Sequence, residues 1–170
     1  MKLNINGYAR HGKDTVADIF CEEAGLKKIS ASHMYAELIM KDTDLGPYDS
    51  IEDCYQDRVN HRAAWYNYIR SKTKEEPTYF VDRCITEGDI YVGHRSRYEF
   101  KETKHLFDAT IWTDASARGL PKEPLDSCDL DYSGHDFVID NGSSLAVTRN
   151  QIKMIIRLIN NRKVAANAYT

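Results

Sequence analysis

The sequence predicts an α/β fold in which helices cover both faces of a mostly parallel sheet of about five strands. Two observations carry this prediction: short apolar segments rich in β-branched residues recur along the chain, and amphipathic segments separate them. The apolar segments are nearly continuous rather than alternating, as in strands that are buried on both faces of a parallel sheet. The predicted strands are Lys2–Asn6, Lys27–Ser30, Ile90–Gly93, Ala109–Thr113 and Phe137–Asp140.

Helices are predicted between these strands. They cover residues 13–23, 32–41, 52–72, 80–87 and 144–161. The last helix is expected to pack one face on the sheet, because apolar residues recur in it at helical spacing. These residues are Leu145, Ile152, Ile155, Ile156 and Ile159, and Asn141-Gly142-Ser143 precedes them as a turn and cap.

Length and composition limit the possible classes of protein. The 170 residues suit one domain spanning 1–170, and no apolar run reaches the length of about 18 residues that a membrane helix needs. We therefore expect no membrane association. The amino terminus has no secretory pattern, so a cytoplasmic location is expected, in the host cytoplasm if a phage encodes the chain. Because the net charge is −3, any contact with nucleic acid would have to use a local basic patch. No protein partner is predicted.

A phosphate-binding pattern follows the first predicted strand. Gly7 and Gly12 enclose four residues, and Lys13 then opens an amphipathic helix. In this pattern backbone N–H groups and the helix N-terminus surround phosphate groups, and the lysine supplies a full positive charge. The pattern predicts a P-loop NTPase, a three-layer sandwich, with ATP as the ligand. The predicted ATP-binding residues here are Gly7, Tyr8, Ala9, Arg10, His11, Gly12, Lys13, Asp14 and Thr15.

One position of this loop departs from the usual pattern. Asp14 stands where Ser or Thr normally contacts Mg²⁺. We expect Asp14 to reach Mg²⁺ through a water molecule, or Thr15 to assist. The six histidines show no metal-ligand spacing, so Mg²⁺ on ATP is the metal that the sequence predicts.

The segment Gly12-Lys13-Asp14-Thr15, followed by Val16-Ala17-Asp18, resembles the deoxynucleoside monophosphate kinases of bacteriophages and the related thymidylate kinase-like enzymes. The resemblance covers the first 25 residues well and residues 90–159 loosely. It implies that Arg95 matches the arginine of an Asp-x-Arg segment in that family, although the aspartate is missing here. It also implies that Asn141, after the last strand, lies beside the adenine.

Basic residues follow the third and fourth predicted strands. Arg95 and Arg97 are expected at the carboxyl end of the sheet, where open α/β folds bind ligands, or else in surface ion pairs with acidic neighbours. Arg118 and Lys122 lie in a short segment that either closes over the phosphates or is a solvated loop. Lys13, Arg95 and Arg118 are the predicted catalytic cations.

A basic and aromatic segment precedes the third strand. Arg58, His61, Arg62 and Trp65 share one side of a helix if residues 52–72 form one helix. This side would contact a phosphodiester backbone or stack a base, with Trp65, Tyr66 and Tyr68 as aromatic walls; an ordinary amphipathic helix explains the same residues.

The predicted acceptor-binding residues are His94, Arg97, Arg58, Arg62 and Trp65. His94, Asp114 and Asp57 remain alternatives for the base that takes the proton of an attacking hydroxyl.

These features predict an ATP-dependent kinase. The Gly-Lys-Asp-Thr loop and Gly93-His94-Arg95 also resemble the phage 5-hydroxymethyluracil DNA kinases, which implies transfer to 5-hydroxymethyldeoxyuridine in phage DNA, a step in thymidine hypermodification. A free deoxynucleoside monophosphate is the alternative acceptor. Two other classes are less compatible with the sequence. A GTPase switch would use Asp131 in a DxxG match but lacks a guanine motif, and a non-catalytic nucleotide-binding module would not need Lys13.

Overall fold

Five parallel strands form one sheet in a computed structural model that describes residues 1–29, 31–125 and 128–167. The strands are β1 (Leu3–Asn6), β2 (Lys28–Ile29), β3 (Ile90–Val92), β4 (Ala109–Asp114) and β5 (Phe137–Asp140), in the order β2-β3-β1-β4-β5. Every pairing between them is parallel. The prediction of a parallel α/β sheet is confirmed, and Ser30, which the second predicted strand included, lies outside the described residues.

Seven helices connect the strands in the described ranges. They are α1 (Lys13–Ala24), α2 (Ala31–Asp42), α3 (Ile51–Asp57), α4 (Arg62–Glu75), α5 (Tyr79–Glu87), α6 (Arg97–Thr103) and α7 (Leu145–Asn167). Short 3-10 turns follow α6 at Lys104–Leu106 and β4 at Ser116–Arg118. The sequence did not predict α6, which Ser96 begins by accepting a hydrogen bond from the Glu99 N–H group.

The long helix predicted over residues 52–72 is wrong, because the chain turns between α3 and α4. The N–H groups of Asn60 and His61 donate to the carbonyl groups of Asp57 and Arg58, three residues earlier. The Asn60 side chain also donates to the Asp57 carboxylate at 2.7 Å. Asn and Asp side chains stabilise turns in this way at the expense of a continuous helix.

Helices α1 and α7 cover one face of the sheet. Leu3 and Ile5 of β1 are fully buried there, and Phe20 of α1 and Ile152 of α7 belong to the same core. Leu145 does not join them: it is 58% exposed.

Helices α2, α5 and α6 cover the opposite face. Tyr91 of β3 packs there with Phe80 of α5, and Trp112 of β4 packs with Phe100 of α6. Because side chains alternate across a strand, Asn4 of β1 also points to this face, where it is buried. Helices therefore lie on both faces, an arrangement consistent with a three-layer α/β sandwich. Among the described residues, no helix is long and apolar enough to cross a membrane.

Candidate functional site

A tight loop, residues 7–12, leaves the carboxyl end of β1, which lies between β3 and β4 in the sheet. Gly7, Arg10 and Gly12 have positive φ angles of 152°, 67° and 86°. A Cβ atom on Gly7 would lie 2.5 Å from the Thr113 carbonyl oxygen, and one on Gly12 would collide with the Asn141 amide. Backbone conformation and space therefore both require glycine at positions 7 and 12.

Two buried side chains hold this loop against the ends of β4 and β5. His11 is fully buried, and its Nδ1 atom accepts a hydrogen bond from the Ala115 N–H group at 3.0 Å. Asn141 Nδ2 donates to the His11 carbonyl at 3.0 Å, and Asn141 Oδ1 accepts from the Thr148 hydroxyl at 2.9 Å. Asn141 is only 2% exposed, so its side chain supports the loop, and the predicted contact with the adenine has no exposed side-chain atom to make it.

Several backbone N–H groups lie close together where the loop leads into α1. This helix begins at Lys13 after Gly12, and it has no side-chain cap. The first N–H groups of a helix have no partner inside the helix and carry the positive end of its dipole. The start of α1 is therefore favourable for an anion.

Two cationic side chains lie beside these backbone groups. Lys13 Nζ donates to the Tyr8 carbonyl at 2.9 Å, which holds the ammonium group over the loop. Arg95 follows β3, the strand next to β1. Burial lowers the pKa of Lys13, and the positive charge of Arg95 lowers it further. A bound anion would offset both effects.

One carboxylate already contacts this cluster. Glu123 Oε2 accepts a hydrogen bond from the Ala9 N–H group at 2.7 Å, and Glu123 Oε1 accepts one from Arg95 Nη1 at 2.5 Å. The Glu123 side chain is 16% exposed. Sequence patterns do not predict this contact, because Glu123 is more than a hundred residues away from the loop along the chain.

The residues predicted to hold Mg²⁺ lie in the first turn of α1. The Asp14 side chain is 81% exposed, and its Oδ1 atom is 3.7 Å from Lys28 Nζ, which pairs more closely with Asp18 at 2.6 Å. Thr15 is also exposed. Within the described ranges, no group of three or more His, Cys, Asp or Glu side chains is arranged to hold a metal ion. Asp14 offers a single exposed carboxylate at this position, so its contact with Mg²⁺ stays a prediction.

The segment predicted as a lid begins with the 3-10 turn after β4. Arg118 is exposed, and its Nη2 atom donates to the Ser143 carbonyl at 3.0 Å, which links the turn to the loop before α7. Lys122 is exposed as well. Neither cation is placed against the loop of residues 7–12 by a contact in the described structure, so their role in closure stays a prediction.

His94 lies in the core, which conflicts with its predicted contact with an acceptor. It is 3% exposed, its Nδ1 atom accepts from Asn4 Nδ2 at 2.9 Å, and its Nε2 atom donates to Thr103 Oγ1 at 3.2 Å. Burial lowers the pKa of His94 to about 3, and the nearby His135 lowers it in the same direction. Both ring nitrogen atoms are therefore engaged in structure, and His94 is a poor candidate for the base.

Arg97 joins α6 to the chain before β5. Its guanidinium group donates to the Asp129 carbonyl at 3.2 and 3.1 Å and to the Asp131 carboxylate at 3.0 Å. Its N–H group donates to the Asp129 carboxylate at 2.6 Å. These contacts make Arg97 a structural clamp between distant segments rather than a free cation for an acceptor phosphate.

The predicted basic and aromatic face does not form, because Arg58 lies in the turn between α3 and α4. The Arg58 guanidinium stacks 3.7 Å from the centre of the Tyr55 ring. Trp65 is 7% exposed and packs against Ala36 and Ile39 of α2. Arg62 begins α4 and is exposed. Trp65 is thus a core residue, and it does not form an aromatic wall for a base.

Three carboxylates differ in how strongly their surroundings hold them ionised. Hydrogen bonds, first of all from Asn60, lower the pKa of Asp57. Burial acts to raise the pKa of Asp114, but hydrogen bonds from Ser116 outweigh it and leave this pKa lowered. Burial raises the pKa of Glu99, which lies half-buried four residues after Arg95. A hydrogen bond with Thr73 and the positive charge of Arg70 act against this rise, and among the described residues no contact joins the Glu99 side chain to Lys13 or Arg95.

Comparison of the chain with protein-family models finds no match, and comparison with curated protein sequences finds none.

Proposed function

We propose that the protein is an ATP-dependent phosphotransferase of the P-loop type. One observation carries this proposal: a glycine-dependent loop at the carboxyl end of a central parallel strand leads into an uncapped helix whose first residue is Lys13, with Arg95 beside it. Oriented N–H groups and two cations at this edge of the sheet are what a nucleoside triphosphate requires.

In this proposal the loop binds the triphosphate. The N–H groups of residues 7–14 surround the β- and γ-phosphates, and Lys13 and Arg95 neutralise their charge. Asp14 would be the side chain that holds Mg²⁺, and the bound ion would supply positive charge beside the phosphates. His11 and Asn141 keep the loop in its binding conformation through their buried hydrogen bonds.

The chemical step moves one phosphoryl group. The acceptor hydroxyl oxygen forms a bond to the γ-phosphorus atom while the bond from that atom to the β,γ-bridging oxygen breaks, so that ADP leaves. The hydroxyl proton passes to a carboxylate, for which Asp114 and Asp57 remain the candidates that the sequence predicts. Lys13 and Arg95 stabilise the charge that the transferred group carries in the transition state.

For the acceptor we propose the 5-hydroxymethyl group of 5-hydroxymethyldeoxyuridine in DNA, with a free deoxynucleoside monophosphate as the alternative. The support for DNA is the resemblance at residues 12–15 and 93–95 and the missing aspartate before Arg95. The separation of Arg58 from Trp65 removes the support that a basic and aromatic helix face would have given. A direct comparison of the two acceptors therefore has to decide between them.

A GTPase switch is disfavoured by the surroundings of Asp131, the first residue of the DxxG match. Its carboxylate accepts hydrogen bonds from Ser133 and Arg97, which lower its pKa to about 2, first through Ser133. This aspartate is thus engaged in holding its own loop and α6.

The test is label transfer from γ-labelled ATP with Mg²⁺, using DNA that contains 5-hydroxymethyluracil in one reaction and a panel of deoxynucleoside monophosphates in another. We expect label in the DNA; label in a monophosphate alone would establish the alternative acceptor. Lys13→Ala should lower transfer by about 10²- to 10³-fold, as removal of a group that stabilises transition-state charge does. Lys41→Ala, at an exposed lysine in the last turn of α2, is the matched control and should keep full activity. Undiminished transfer by Lys13→Ala would contradict the assignment of the site.

A further inference from the structure

Glu123 lies in a constrained segment that reaches back over the phosphate loop. The segment follows the 3-10 turn Ser116–Arg118, which ends at Gly119 with a φ angle of 73°. Pro121 and Pro124 lie on either side of the Lys122-Glu123 pair. Proline fixes its own φ angle and restricts the residue before it, so this short stretch has few conformations from which to present its glutamate.

The Glu123 carboxylate makes the contacts that an oxygen pair of a phosphate would make. One oxygen accepts from the N–H group of Ala9, inside the loop, at 2.7 Å. The other accepts from Arg95 at 2.5 Å, and the negative charge of Glu123 acts to raise the pKa of Lys13. The same carboxylate therefore contacts the loop backbone and Arg95, and its charge also acts on Lys13.

We propose that Glu123 is an internal competitor of the nucleotide: it occupies the phosphate position when no nucleotide is bound and has to leave before a triphosphate can enter. The inference rests on the proposed function, since it takes the loop to be a phosphate site. The Ala9 N–H group is a single donor, so it cannot bind the Glu123 carboxylate and a phosphate oxygen at the same time. Triphosphate binding therefore displaces Glu123 and releases residues 119–125 from the loop, which couples occupancy of the site to the position of this segment.

The size of the effect follows from the competition. Let K be the ratio of the population of the closed form, with Glu123 in the loop, to that of the open form. The apparent Kd for the anion is then higher than the Kd of the open form by a factor of 1 + K. A charge-assisted contact at a partly exposed site gives K on the order of ten. Removal of the carboxylate should thus tighten binding of an inorganic polyphosphate about tenfold.

The experiment measures the Kd of inorganic tripolyphosphate by calorimetry for wild type, Glu123→Ala, Glu123→Asp and Glu102→Ala. Glu102 is an exposed glutamate on α6 and serves as the matched charge control. The aspartate variant keeps the negative charge but is one methylene too short for both contacts. We expect tighter binding by Glu123→Ala and Glu123→Asp and an unchanged Kd for Glu102→Ala. A gain in Glu123→Ala alone would show that only the electric field of the carboxylate matters, which would overturn the proposal, as would values within twofold of wild type for both Glu123 variants.

Hydrogen exchange of the unliganded proteins gives a readout that needs no ligand. The Ala9 amide should exchange more slowly in wild type than in Glu123→Ala; equal exchange would mean that the contact is absent and would overturn the inference. Protection of Ala9 without tripolyphosphate binding by any of the proteins would instead reject the proposed function, and with it the role of Glu123 as a competitor. Thermal unfolding of each variant checks that the fold is retained.

Discussion

Replacement of Asn141 tests what the buried side chain behind the phosphate loop does. In wild type, its amide nitrogen donates to the His11 carbonyl, and its oxygen accepts from the Thr148 hydroxyl. Asn141→Ala removes both contacts and opens space next to Gly12. The loop would then lose its link to the loop that follows β5.

The magnitude depends on which groups are left without a partner. The Thr148 hydroxyl also lies 3.4 Å from the Ser144 carbonyl, so it can turn to that acceptor. The His11 carbonyl loses its side-chain donor, and a buried polar group left unsatisfied costs about 1–3 kcal/mol. We therefore expect Asn141→Ala to lower the free energy of unfolding by about 1–3 kcal/mol.

Binding assays separate support of the loop from contact with the base. If Asn141 supports the loop, Asn141→Ala should weaken the binding of ATP and of inorganic tripolyphosphate by the same factor, because the binding of both ligands depends on loop geometry. Urea unfolding measures stability, calorimetry measures both Kd values, and Asn67→Ala at an exposed site on α4 is the control. Weakened ATP binding with unchanged tripolyphosphate binding and unchanged stability would refute this reasoning. Such a result would indicate that the Asn141 side chain contacts the adenine.

One further prediction concerns a titratable group. Because the pKa of His94 is lowered from 6.5 to about 3 in the folded protein, the unfolded chain binds a proton more readily below pH 6.5, and stability should fall as pH falls; from pH 7.5 to pH 5 the loss from His94 is about 2 kcal/mol. Urea unfolding at both pH values checks this, and a His94→Gln variant with the full pH dependence of wild type would contradict it.

Strands β3 and β4 were predictable because residues on both of their faces are buried, which favours apolar and β-branched side chains. Ile90–Val92 and Ala109–Asp114 accordingly consist almost entirely of such residues. Strand order was not predictable in the same way, because it depends on contacts between segments that are far apart.

The helical region between β2 and β3 was harder to predict. The spacing of Arg58, Arg62 and Trp65 fits one helix, yet hydrogen bonds of Asp57 and Asn60 end α3 before Arg62 begins α4. The separate turn residues carry no unusual signal by themselves. Helical periodicity continued across the turn by chance, so the pattern alone could not reveal the break.

In the candidate site, too, residues that are close in sequence were predictable, whereas residues that are far apart in sequence were not. Gly7, Gly12 and Lys13 are close in sequence, and their spacing predicts a loop whose backbone does require the two glycines. Glu123 and Asn141 reach the loop only through the fold. A signal for Glu123 was available in its position between two prolines after the fourth strand, but its target could not be known without the structure.

The most direct test of the central claim is equilibrium binding of ATP to the loop. Calorimetric titration of wild type with ATP and Mg²⁺ should show one saturable site, with binding weakened at least about tenfold in Lys13→Ala, as expected when a charged contact is lost, and unchanged in Lys41→Ala. Absence of ATP binding by the folded wild-type protein, or equal binding by Lys13→Ala, would contradict the assignment of residues 7–14 as a triphosphate site.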